Sequence, residues 1–137
     1  MLVLLDLPHM RVLIDRSLGL VRYERTSLGF DDVDSIDRTH DAIMRVLETI
    51  DRSRLVLLVD LREGPARNDP AFEQAMARHR PRILGGYRRV ASLVRTAVGK
   101  LQVGRHLRDD GLVFQVMHDE DEALRYLLAP GASGPPR

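Results

Sequence analysis

The chain has no cysteine, no tryptophan, one lysine against twenty arginines, and six aromatic residues in 137. Without cysteine there is no disulfide, no thiolate nucleophile and no cysteine-built zinc or iron–sulfur site, and a reducing, cytoplasmic setting is expected. So few aromatic rings leave little to stack bases on, which disfavours nucleic acid as a partner. The longest early apolar run, Leu2 to Leu5, is far too short for a signal peptide or a membrane span. What remains is 44% hydrophobic and 30% charged, the composition of one globular domain.

Charge is nearly balanced overall, at +1, but unevenly spread. Residues 78–108 hold eight arginines and Lys100 with no Asp or Glu, leaving 12 basic and 20 acidic residues elsewhere. Of the basic flank Arg78, Arg80, Arg82, Arg88 and Arg89, the first three fall at a helix carboxyl end, where the macrodipole favours cations. Solvated helix ends are therefore one reading. The other is a docking surface for a protein, for instance the acidic first helix (Asp34, Asp37, Asp41, Glu48) of another copy. On that reading, reversing Arg78, Arg80 and Arg82 would abolish capture of the partner and leave folding nearly intact.

Residues 1–10 are read as an N-terminal extension, 11–129 as the domain and 130–137, rich in Pro and Gly, as a flexible tail. "RVLID" (11–15) and "LVRYE" (20–24) read as strands joined by a turn at Ser17-Leu18-Gly19. "DDVDSID" then opens an amphipathic helix over about 33–51, its carboxylates at the positive end of the dipole. The apolar run "LVLLVDL" (55–61) fits a strand covered on both faces. Asp69 caps a second helix begun by Pro70, which Pro81 should kink or end before a turn at Gly85-Gly86. "RVASLV" (89–94) is a further strand, Thr96 caps a third helix to about Leu107, and "LVFQVM" (112–117) is the next strand. Asp119 with Glu122 opens a last helix through Leu128. The order β-β-α-β-α-β-α-β-α predicts an α/β fold with a mostly parallel sheet of about five strands.

"LVLLVDLREGP" as central strand and loop, "RRVASLV" as the following strand and the closing "VFQVMHDEDEALRYLL" resemble the SpoIIAA-like (STAS-like) family over residues 11–128. Asp119, Ala123, Leu124, Tyr126 and Leu127 match its terminal helix. The resemblance implies a four-stranded parallel core with one added edge strand. It also implies a non-enzymatic role: regulatory protein contacts, sometimes controlled by phosphorylation, or, in the related superfamily, binding of a small or lipid-like ligand. Members that antagonise anti-sigma factors carry a phosphorylatable Ser or Thr where the central strand's loop meets the next helix. Here that junction reads Asn68-Asp69-Pro70-Ala71, with no Ser or Thr between Leu61 and Ala91, so a phosphate has no acceptor there.

Ligands of open parallel sheets sit outside the carboxyl ends of the strands, which here offer Asp60, Arg62, Glu63, Arg95, Thr96 and His118. Arg62, Asn68, Asp69, Arg95 and Thr96 are the expected contact edge for a partner or an anion; helix N-termini at Asp69 and Thr96 would add N–H donors. The blander reading is a local Asp60–Arg62 ion pair and two plain caps. No pair among His9, His40, His79, His106 and His118 has the spacing of a zinc site, and no cofactor is expected. Nucleophile-elbow and phosphate-loop motifs are missing, so no enzyme is expected. The sequence-level expectation is a regulatory protein-interaction module, possible homodimer included. The alternative is a carrier or sensor of a small anionic or lipid-like ligand at the sheet's carboxyl edge, beside the last two helices.

Overall fold

The computed structural model describes residues 1–65, 69–109 and 115–130. Six strands lie side by side in chain order: β1 (Leu2–Asp6), β2 (Met10–Asp15), β3 (Leu20–Arg25), β4 (Val56–Asp60), β5 (Arg89–Leu93) and β6 (Gln115–Met117). β1, β2 and β3 pair antiparallel, while β3 to β6 pair parallel. The expected four-stranded parallel core is present, but two strands are added to it, not one. Residues 1–10, read as an extension, supply the sixth strand and the first residue of β2, and Met10 itself is core. At the β2–β3 turn Asp15 accepts from the Ser17 and Leu18 amides and Gly19 takes φ +66.

Four helices follow the parallel strands: α1 (Val33–Leu47), α2 (Pro70–Leu84), α3 (Ala97–Asp109) and α4 (Glu120–Leu128). Right-handed crossovers through strands laid down in sequence put the first three helices on one face of the sheet. Their apolar residues, Ile43 and Leu47 of α1, Ile83 and Leu84 of α2 and Val103 of α3, meet the side chains of that face, Val21, Tyr23, Leu57, Val59, Val90 and Val94. The opposite face, Leu20, Val56, Leu58, Ala91 and Leu93, is covered by Ala123 and Leu127 of α4. Burial on both faces explains why β4 reads as a continuous apolar run.

The caps are as expected at Asp69 and Asp119, and Asp32 adds a capping box with Ser35. Two boundaries differ. α1 stops at Leu47, short of residue 51, because Thr49 turns its hydroxyl onto the Val46 carbonyl and Asp51 caps a separate 3-10 turn, Arg52–Arg54. Pro81 does not end α2, which runs one turn further. A proline this near the end forfeits one helical bond, and burial of Ile83 and Leu84 holds the turn in place. Arg52 then closes α2, donating to the carbonyls of Arg82 and Gly85 at 3.0 and 2.9 Å. Residues 112–114 of the expected last strand lie outside the described residues, as do 131–137 of the expected tail.

Candidate ligand-binding cleft

The strand register builds the site. On the face under α1, α2 and α3, one row across the sheet reads Tyr23, Val59, Ser92, Val116. One step towards the carboxyl ends of β3, β4 and β5 lie Arg25, Leu61 and Val94, with Met10 opposite Arg25 on β2. Ser92 thus stands where its neighbours on both sides are valines, and Arg25 occupies the apolar phase set by Val21 and Tyr23. Over this floor the helices leave a chamber of about 120 Å³, walled by Met10, Val59, Ile83, Leu84 and Val103, with Tyr23, Arg25, His40, Arg80 and Ser92 as polar groups. It continues into a groove of about 450 Å³ rimmed by Arg62, Glu63, Glu73, Arg95 and Thr96. Arg25, Leu61, Met76, Arg80 and Val103 line both. The two are the inner and outer parts of one cleft between α2 and α3.

Arg25 is the anomaly. It is 9% exposed, its Nε has no hydrogen-bond partner, and among the described residues no carboxylate pairs with it. Its guanidinium lies 4.7 Å from the centre of the Phe30 ring, a contact that compensates only part of a buried charge. Burial accordingly pulls its pKa below the ordinary arginine value. Gly64 lets the loop after β4 close over it: a Cβ there would stand 3.2 Å from the Arg25 Cβ.

Arg80, the other cation shared by both parts, is bonded to Glu73 on its own helix. Deeper in, Tyr23 is 3.0 Å from the Tyr87 hydroxyl and donates to the Ile83 carbonyl at 3.3 Å, so its phenol is already engaged. Burial raises both phenols, that of Tyr87 to about 12.

His40, 3% exposed, stacks on His79 with centroids 4.7 Å apart and holds the Ile36 carbonyl at 2.7 Å through Nδ1. Burial lowers its pKa to about 4, so the ring is neutral at pH 7. A carbonyl only accepts, so Nδ1 carries the proton and Nε2 is a bare acceptor.

Of the expected contact edge, Arg62, Arg95 and Thr96 meet at the outer rim. Arg62 is committed to carboxylates: its Nε and terminal nitrogen reach Asp60 at 3.0 and 2.8 Å and Glu120 at 3.0 Å. Glu120 also takes Arg22 at 2.9 Å, tying the start of α4 to the sheet. Hydrogen bonding to Arg22 leads in holding the Glu120 carboxyl below its usual range. At Asp60 burial pushes the carboxyl up, but the Arg62 bonds and the Arg62 and Arg22 charges outweigh it and leave it lowered. Arg95 donates to the Arg62 carbonyl, and Thr96 accepts from the Gly99 amide at 3.0 Å as a cap does. Asp69 caps α2 and does not line the cleft; His118 is exposed and away from it. Asn68 lies outside the described residues.

The basic flank does not form one surface. Arg78 reaches Asp37 at 3.2 Å and Arg82 reaches Asp41 at 2.6 Å, so the acidic helix imagined on another copy is met within the same chain. Arg89 is buried under α4 on the Tyr126 carbonyl, and the Arg88 Nε is buried without a partner. Reversal of Arg78 and Arg82 to Glu should therefore disturb folding, placing like charges between α1 and α2. Thermal melts should show a drop of roughly 3–6 °C that shrinks in high salt; an unchanged melting temperature would mean the pairs contribute nothing.

No family model matches the chain and no curated protein does. A structural match is found in the crystal structure of an uncharacterized protein of the DUF3478 family, described as having a SpoIIAA-like fold, from Shewanella loihica PV-4. It shares 16% identity with a TM-score of 0.64, over 90% of this chain and 97% of that one. The fold is SpoIIAA-like. The strand-and-helix succession quoted from the sequence therefore pointed to the right architecture, and at this identity the likeness speaks for the SpoIIAA-like fold alone. No helix among the described residues is long and apolar enough to cross a membrane.

The residues that sequence reasoning missed are Arg25, His40 as a cleft residue, and Ser92. A signal existed for Arg25 and Ser92: each is polar at a position whose two-residue period is apolar.

Proposed function

We propose that this SpoIIAA-like chain is a non-enzymatic binding module whose ligand is a small anionic molecule with an apolar body, held in the cleft between α2 and α3. The single observation that carries the reading is Arg25, a buried cation without a counter-ion among the described residues, at the junction of chamber and groove. An oxyanion there would supply the missing acceptor, and the apolar walls would take the rest of the molecule. The cleft lies between α2 and α3, one helix earlier in the chain than the sequence alone suggested.

Catalysis is not part of the proposal. Ser92 and His40 share the chamber, yet no hydrogen bond joins them, and a ring with a pKa about 4 is a poor base at neutral pH. His79 is bonded to Asp37 at 2.7 Å, with no hydroxyl in the pair. Among the described residues no cluster of three metal-ligating side chains occurs.

A screen of anionic amphiphiles by thermal shift tests the reading. A genuine ligand at a hundredfold excess over its Kd adds about 2.7 kcal/mol of stability, and Arg25→Met should erase the shift. Stabilisation that survives in Arg25→Met, or no shift with any anion, would refute it.

A protein partner remains a second reading on one observation: β1 is an edge strand carrying half-exposed Leu2 and Val3. Strand addition there would cover both.

A further inference from the structure

The chamber's size and three of its polar groups, Arg25, His40 and Ser92, specify more than an anion. At about 120 Å³ it approaches the size of an apolar protein cavity of about 150 Å³ that holds benzene, which makes a single six-membered ring the largest body it matches. Its walls are aliphatic, from Met10, Val59, Ile83, Leu84 and Val103. Arg25 stands at the threshold, lining chamber and groove alike, and its Nε–H lacks an acceptor. Arg80 is already bonded to Glu73 and Arg62 to Asp60 and Glu120, so of the two cations that line the chamber itself, Arg25 is the one with no carboxylate partner among the described residues. That matches a monoanion such as a carboxylate better than a doubly charged phosphate.

His40 lines only the inner part. Its Nδ1–H is spent on the Ile36 carbonyl, its face is covered by the His79 ring, and Nε2 has no hydrogen-bond partner among the described residues. It therefore asks for a donor. Ser92, 2% exposed and likewise without a partner for its hydroxyl, can donate or accept. A plain carboxylate would satisfy Arg25 and leave Nε2 unmet, whereas an alcohol would do the reverse.

Resting on the cleft being a ligand site, we infer that it selects a hydroxylated ring carboxylate: the carboxylate at Arg25, the ring in the inner chamber, and the hydroxyl donating to His40 Nε2. No bond is made or broken. The outer groove serves as the entry path.

Calorimetric titration of the full chain at pH 7.5 with 3-hydroxybenzoate, 4-hydroxybenzoate, benzoate, phenol and octanoate tests this. At least one hydroxybenzoate should bind roughly tenfold more tightly than benzoate, since a site that hydrogen-bonds a hydroxyl penalises its loss, and phenol should bind more weakly still. Arg25→Met should abolish binding of every acid. His40→Phe should collapse the gap between hydroxybenzoate and benzoate. In the wild-type chain the His40 Nε2 nitrogen resonance should move with the hydroxybenzoate and not with benzoate, a readout that needs no variant.

Equal affinity of benzoate and both hydroxybenzoates, or a gap that persists in His40→Phe, would overturn the inference. Octanoate binding through Arg25 while no ring acid binds would overturn it too, yet leave the anion cleft standing. Failure of every acid would remove both.

Discussion

Arg25→Met is expected to make the ligand-free protein more stable while destroying its response to anions. The guanidinium of a residue 9% exposed, with a buried Nε that lacks an acceptor and no carboxylate partner among the described residues, has given up hydration for one contact with a ring. The cation–π contact returns about 0.5–2 kcal/mol, less than the several kcal/mol that burying an ion costs. Methionine has a similar reach, no charge to desolvate and apolar neighbours in Met10, Leu61 and Met76. The net gain should be on the order of 1–3 kcal/mol, or about 4–10 °C in Tm. Urea denaturation of the two proteins, each with and without a binding acid, separates the possibilities. If Arg25 were a structural residue, its removal would lower stability by more than 1 kcal/mol or so, and the proposal would lose its foundation. A gain in stability with loss of ligand response is the signature of a residue retained for binding.

Most of the architecture was legible because it is written locally. β4 is a bare apolar run, the β2–β3 turn carries Asp15, Ser17 and Gly19, and Asp69, Thr96 and Asp119 stand where caps belong. β1 was not legible. It is short, lies at the edge with Leu2 and Val3 half-exposed, and is paired through an irregular register near Val3 and Leu5, so no alternation marks it. Pro81 misled for the opposite reason: a strong local rule was outweighed by the packing of Ile83 and Leu84, which only the assembled core supplies.

The site divides the same way. The groups at the rim, Arg62, Arg95 and Thr96, could be named from strand ends, but their chemistry could not, since Glu120, which claims Arg62, lies 58 residues away. The unbalanced basic stretch looked like a surface for an external partner because its acids, Asp37 and Asp41, are 41 residues upstream. Once right-handed crossovers put α1 and α2 on the same face, those acids and bases must confront each other. What a sequence does show is a charge in an apolar phase, as at Arg25. Whether that charge has a partner is a property of the fold, and here the lack of one is the information.

Acid should unfold the protein through His40 before its carboxylates matter. Burial foremost, with the positive charges of Arg25 and Arg82 adding to it, lowers its pKa from 6.5 to about 4, against the contrary pull of the Ile36 carbonyl. Above pH 6.5 the ring is neutral whether the chain is folded or not, and it contributes no pH dependence. Below 6.5 the unfolded chain takes up a proton that the native chain refuses, so stability falls by about 1.4 kcal/mol per pH unit until roughly pH 4, where the native ring also titrates. The loss across that window is about 3 kcal/mol, a large share of what a domain of this size possesses. Asp37 and Asp60, both held below 3.8, and Glu120, held below 4.5, cannot produce it, because their contributions are lost only as the pH falls below those values. Denaturation curves at pH 7, 6, 5 and 4.5 should therefore diverge between wild type and His40→Phe, with the variant nearly flat to pH 4.5. The replacement leaves no orphaned group, since the Ile36 carbonyl keeps its helical partner within α1. Parallel curves would mean that His40 charges freely in the native state, and a ring that charges freely could not present Nε2 as an acceptor to any ligand.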